Sequence, residues 1–173
     1  MRNKLVLIVV LMIICSKFFV GCSNVSDSVV RIHIRANSNS EIDQQIKLEV
    51  RDKVVEYITP IIEPCESSDE VKIVLSDSLN NIKNIADEIL ICNGFDYVAS
   101  ASINNEFFPS RDYDGVTFPA DYYDALIIRL GTGSGDNWWC VAYPPLCFVG
   151  NDVGGQNIKY KSKILELINK YFG

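Results

Sequence analysis

A thiolate beside an imidazole is the smallest set that would make this chain a hydrolase or transpeptidase. His33, the only histidine, would be the base and Cys140 or Cys147 the nucleophile. That chemistry needs a free thiolate, which an oxidising compartment works against. A serine enzyme would need a nucleophile elbow of the G-x-S-x-G kind, and the chain has none. A lone histidine without such support reads as a hydrogen-bonded structural or surface group. The glycine-rich stretch GTGSGD at 131–136 lacks the Lys-Ser/Thr ending of a phosphate loop, and an aromatic strand follows it where a helix N-terminus would be needed, so it reads as a flexible hairpin turn. Zinc would need ligands at CxxC spacing, and Cys65, Cys92, Cys140 and Cys147 have no such pair. Asp112, Asp114, Asp121 and Asp124 could supply paired carboxylates, but they sit among turn residues where aspartate is common. No catalytic, cofactor-binding or metal-binding residue is assigned, and no cofactor is expected.

The elements that would position these groups follow an N-terminal segment set apart by composition. Arg2 and Lys4 precede an apolar run from Leu5 to Cys15, the layout of an export signal, so residues 1–23 are read as a signal peptide or N-terminal anchor and 24–173 as one domain. The stretch FVGC makes Cys22 a lipidation candidate, although Phe19 and Lys17 fit a lipobox poorly; an uncleaved signal or a lipidated Cys22 is the expected link to a membrane. Residues 1–23 hold three basic residues and no acidic ones, leaving 13 basic against 22 acidic in the remainder, a balance of −9. That charge repels phosphates, so no nucleic-acid partner is expected.

Along the domain, Val30, Ile32 and Ile34 alternate with Arg31, His33 and Arg35, the period of a half-buried strand. Ile42, Ile46, Val50, Val54 and Ile58 then predict an amphipathic helix over about 41–58, with Ser40 as cap and Asp43 answering it, broken by Pro60 and Pro64. A second helical stripe starts at Ser67 or Ser68, runs to about Cys92 and stops at Asn93-Gly94. It carries a possible break over 76–81, and VKIVL offers a strand alternative. The stretch FDYVASASINNEFFP reads as a strand, and YYDALIIRLGTGSGDNWWCVAY as two strands of a meander joined by the glycine-rich turn. SRDYDGVTFPA between them reads as a long loop, and Ile158, Ile164, Leu167 and Phe172 predict a C-terminal helix. The expected class is α+β: an N-terminal strand and amphipathic helices packed on a mostly antiparallel sheet, closed by a C-terminal helix.

In the strand ending at Tyr143, Trp138 and Trp139 must face opposite sides, so that one enters the core and the other needs a cover. Pro144-Pro145 forces an extended, rigid exit. Two blocks, RIHIRANSNSEIDQQIKLEVRDKV and FPADYYDALIIRLGTGSGDNWWCVAYPPLCFV, in that order after an export signal, resemble the stage II sporulation protein R family. The resemblance covers Val30 to Val149. It implies a signalling protein exported from the forespore into the space between two membranes, not an enzyme. Its implied partner is the membrane-embedded aspartic protease that processes the sigma-E precursor. The residues expected to meet a partner are His33, Arg35 and Asn37 in the first block and Trp138, Trp139, Pro144 and Pro145 in the second. Cys140 and Cys147 form the disulfide candidate, closing VAYPPL into a rigid loop for about 2–3 kcal/mol of chain entropy. Two reduced thiols packed as small apolar groups are the alternative, and Cys65 and Cys92 are left unpaired. The competing function is an exported thiol or serine hydrolase acting on envelope material.

Overall fold

The computed structural model describes residues 25–113 and 116–146. The expected export signal at 1–23 with Cys22, the second cysteine of the disulfide candidate, Cys147, and the expected C-terminal helix lie outside the described residues. Among the described residues, no helix is long and apolar enough to cross a membrane. After a 3-10 turn at Val25–Ser28 come β1 (Val30–Arg35), α1 (Glu41–Ile62), α2 (Ser68–Asp77), α3 (Leu79–Cys92), β2 (Ala99–Phe108), β3 (Arg111–Tyr113), β4 (Val116–Phe118), β5 (Asp121–Leu130) and β6 (Asn137–Tyr143). The class is α+β, as the sequence predicts.

Ser40 caps α1 by accepting from Asp43 N at 3.2 Å, and Ser67 caps α2 by accepting from Glu70 N at 3.2 Å. The predicted break appears at Ser78, which separates α2 from α3, and VKIVL is helical. Pro60 does not end α1: the helix continues to Ile62, because the last turn still buries Ile58 and Ile62 and loses only one hydrogen bond to the proline. One face of the three helices meets one face of the sheet, where Ile32, Ile34, Leu126 and Ile128 pack with Val50, Val54, Leu75, Ile82 and Leu90.

The main sheet runs β2-β5-β1-β6, and this order corrects two expectations. β5 and β6 are not a hairpin: β1 lies between them, parallel to β5 and antiparallel to β6. SRDYDGVTFPA is not a long loop either, since β3 and β4 form a second, two-stranded sheet. Phe118 from this ribbon joins Phe108, Tyr123, Ile127 and Val141 in a second core on the face away from the helices. A central strand covered on both sides cannot be half-buried, and Arg31 and His33 are 0% and 1% exposed.

Because β1 occupies the middle, the 131–136 loop must arch over the exit of β1 to reach the far edge. It is pinned there. Asn37 Oδ1 accepts from Thr132 N at 3.0 Å, the Asn37 carbonyl accepts from Ser134 N at 3.3 Å, and the Ala36 carbonyl accepts from Gly135 N at 2.9 Å. Asp136 N donates to Asn39 Oδ1 at 2.6 Å, and Lys47 Nζ donates to the Asp136 carbonyl at 3.0 Å. Asp43 also anchors the turn, accepting from Ser38 Oγ, from Asn37 Nδ2 at 3.2 Å and from the Tyr97 hydroxyl at 2.6 Å. Burial pushes the Asp43 carboxyl pKa up, and these hydrogen bonds outweigh it and bring the pKa below the usual value. Gly135 allows the closest approach: a Cβ there would stand 2.2 Å from the Ser38 carbonyl oxygen, whereas one on Gly94 meets nothing within 4 Å. Gly135→Ala is therefore expected to cost roughly 2–3 kcal/mol through overpacking. Gly94→Ala should cost about 1 kcal/mol, for its left-handed backbone alone. Urea unfolding of the two variants checks the order; equal losses would show that the loop yields freely.

Candidate functional site

Alternation along β1 sends Arg31, His33 and Arg35 to the face opposite the helices, beneath the β3–β4 ribbon. The three side chains are held differently. Arg31 is enclosed by rings, with its guanidinium carbon 4.7 Å from the Phe108 centroid, 5.1 Å from Tyr123, 5.5 Å from Phe118 and 5.6 Å from Tyr113. Its Nε donates to the Cys140 carbonyl at 3.1 Å and its Nη2 to the Tyr113 hydroxyl at 3.0 Å; that hydroxyl donates to the Trp139 carbonyl at 3.4 Å. Burial lowers the Arg31 pKa and raises that of Tyr113, so the pair is cation and neutral phenol.

His33 and Arg35 share Glu106 of β2. His33 Nδ1 lies 3.0 Å from Glu106 Oε2, and Arg35 Nη2 donates to both carboxylate oxygens at 2.7 Å. Trp139 stacks on the imidazole, with centroids 3.7 Å apart and planes 19° from parallel, and Phe108 meets the indole edge-on at 4.7 Å. Burial pushes the Glu106 pKa up, but the His33 hydrogen bond and the Arg35 charge prevail and lower it. Burial dominates at His33 and lowers its pKa, against the support of Glu106. Arg31 Nη1, His33 Nε2 and Arg35 Nε are buried with no hydrogen-bond partner among the described residues. The carboxylate–imidazole pair has the orientation of a base and its orienting acid, but the ring is closed off by Trp139 and has no nucleophile against it.

Cys140 is not that nucleophile. It pairs with Ile32 across the ladder and so faces the helices, whereas Trp139, paired with His33, shares the histidine's face. Cys65 and Cys92 are free, on the helical side of the molecule. Among the described residues, no three of His, Cys, Asp and Glu gather as a metal site would require.

The residues expected to meet a partner separate into two groups. Arg35, Asn37, Trp138 and Trp139 gather where β1 ends and β6 begins, since Arg35 pairs with Asn137 and Ile34 with Trp138. Trp138 packs on the helix-side core beneath Arg51, 5.7 Å from its centroid, and Trp139 covers the opposite face; each is half-buried. His33 belongs to this end but is enclosed. Pro144 and Pro145 stand at the other end of β6, with Pro144 buried after a cis peptide bond from Tyr143. Cys147 lies outside the described residues, so the Cys140–Cys147 pairing is not placed. Arg31 and Glu106 were not singled out as site residues from the sequence, and Asp43 was read only as the partner of the Ser40 cap; the one usable signal was Glu106, the only acid in the strand INNEFF.

His33, the sole histidine, offers a direct measurement. Its NMR resonance is expected to titrate below the ordinary value of 6.5, and further below in Glu106→Gln, which loses the opposing support. An unfolded chain would then take up this proton first as pH falls. The folded state loses stability on descending from 6.5 through the folded pKa, and His33→Gln removes that part of the slope. A titration at or above 6.5 would show that Glu106 outweighs burial.

No solved structure matches the chain. The family described as Stage II sporulation protein R (spore_II_R) matches residues 26–153. A curated relative from Bacillus subtilis (strain 168), named "Stage II sporulation protein R", is 38% identical over 143 residues, which cover 80% of this chain and 64% of the relative. The chain thus spans just under two thirds of that relative's length. The match takes in β1 with Arg31, His33 and Arg35, the helical layer and every strand of both sheets, and the chain belongs to the stage II sporulation protein R family.

Proposed function

We propose that this chain is an exported sporulation signal that binds the outer face of a membrane-embedded aspartic protease and turns on processing of the sigma-E precursor. Family membership across residues 26–153 is the observation that carries the reading and supports the place in sporulation. An activator can shift a protease toward its active form only by binding that form more tightly, so it needs a surface of fixed shape. The end of the sheet where Arg35, Asn37, Trp138 and Trp139 meet suits that need, because the pinned 131–136 loop and the Glu106 ion pair hold these groups in place. Half-buried tryptophans and an arginine are common anchors of interfaces. The N-terminal export segment remains part of the proposal, as does its retention through an uncleaved signal or Cys22. No observation favours the hydrolase alternative, since Cys140 and His33 face opposite sides of the sheet.

Co-expression of the chain, the protease and the sigma precursor in a non-sporulating host tests the reading. Processing is expected only when the chain is exported, and Trp138→Ala should reduce it by about tenfold, the loss of one moderate interface anchor. Processing that proceeds without the chain would overturn the activator role. The disulfide is tested separately: intact mass after alkylation of the exported protein should show Cys140 and Cys147 protected until reductant is added. Full labelling without reductant would leave both as packed thiols.

A further inference from the structure

On the helical side, residues of α1 and α3 line a groove of about 910 Å³. Its floor is apolar, formed by Tyr57, Pro60, Ile61, Ile85 and Ile89, all of them half-buried or exposed. Its rim is acidic: Glu49, Asp52, Glu56 and Glu88 surround it, and the single cation, Lys53, is already paired with Glu56 at 2.8 Å. An apolar trough with a negative rim fits a helix with one apolar face and flanking lysines.

The chain carries such a segment outside the described residues. Over 158–172, Ile158, Ile164, Leu167, Ile168 and Phe172 recur at helical spacing, and Lys159, Lys161, Lys163 and Lys170 stand against the lone Glu166. We propose that segment 158–172 binds as an amphipathic helix in the α1–α3 groove of its own chain. Charge and length agree. The rim has three more acids than bases and the segment three more bases than acids. From Glu49 to Ile61 the groove follows α1 for about 18 Å, and a helix over 158–172 would be about 21 Å long. Reach also agrees. Tyr143, at the end of β6, donates to the Glu66 carbonyl at 2.7 Å, so the chain leaves the sheet close to the end of α1 that bears Pro60 and Ile61. The residues from there to Ile158 span up to about 45 Å when extended. The helix would cover Cys92 and the apolar floor, adding a fourth helix to the layer.

Hydrogen exchange on the full-length chain tests this at two protein concentrations. Amides of 158–172 should be protected by at least about tenfold over a random coil, equally at both concentrations. Ile164→Asp with Leu167→Asp should abolish that protection and speed exchange in the α1 and α3 peptides that form the floor. Glu49→Lys, Glu56→Lys and Glu88→Lys together should release the segment, and adding Lys159→Glu, Lys163→Glu and Lys170→Glu should restore it; all the groove changes are at exposed positions, so the fold is not at risk. Random-coil exchange in the unaltered chain, protection indifferent to both sets of changes, or protection that rises with concentration would overturn the proposal. The last result would mean that the groove takes the segment of a second copy. Protection appearing only with vesicles of anionic phospholipid would assign the lysine-rich helix to a membrane surface and overturn it as well.

Discussion

β1 is hydrogen-bonded on both edges and covered on both faces; Arg35 at its end stays partly exposed, but Arg31 and His33 cannot reach water. Each of them has to be solvated by protein. An isolated buried cation is costly, and truncating its surroundings would leave the charge uncompensated. At Arg31, four aromatic rings, a carbonyl and a phenol take the part that a carboxylate plays in an ordinary ion pair. The β3–β4 ribbon brings two of those rings, and the Tyr113 hydroxyl ties it to the centre of the sheet. The second layer of the fold is thus organised around a guanidinium.

The same central position dictates the connection between β5 and β6. A two-strand hairpin could have used a tight turn, but a chain that must clear an intervening strand needs a longer arch. Its backbone polar groups are satisfied by the polar turn that follows β1, with Asn37 bonding on the loop side and to Asp43 on the helix side. One asparagine therefore links the sheet, the arch and the start of α1. The glycines serve close approach here, most clearly at Gly135, and the arch is fastened along its length.

This construction holds the groups at the end of β1 from both layers of the fold. The half-buried tryptophans flank the end of β1 on opposite faces of the sheet, one resting on the helical core and one on the imidazole of His33. The histidine then acts as a platform: burial favours its neutral form, while Glu106 fixes the ring and also binds Arg35. A surface assembled in this way has little freedom left to lose.

Local order was largely legible in the residues. The strand at β1, both helix caps, the division at Ser78, the stop after Cys92 and the opposite facing of Trp138 and Trp139 all follow from short-range periodicity and capping chemistry. The family, too, was legible from two linear blocks. Strand order was not, because alternation states which residues share a face and says nothing about which strand lies beside which. RIHIR has the same pattern whether its second face meets water or a ribbon of aromatics, and a glycine-rich loop reads alike in a hairpin and in an arch. The tertiary structure decided those points by placing β1 between β5 and β6, which buried Arg31 and His33 although their alternation reads as a solvated face, and brought Glu106, distant in sequence, against His33 and Arg35.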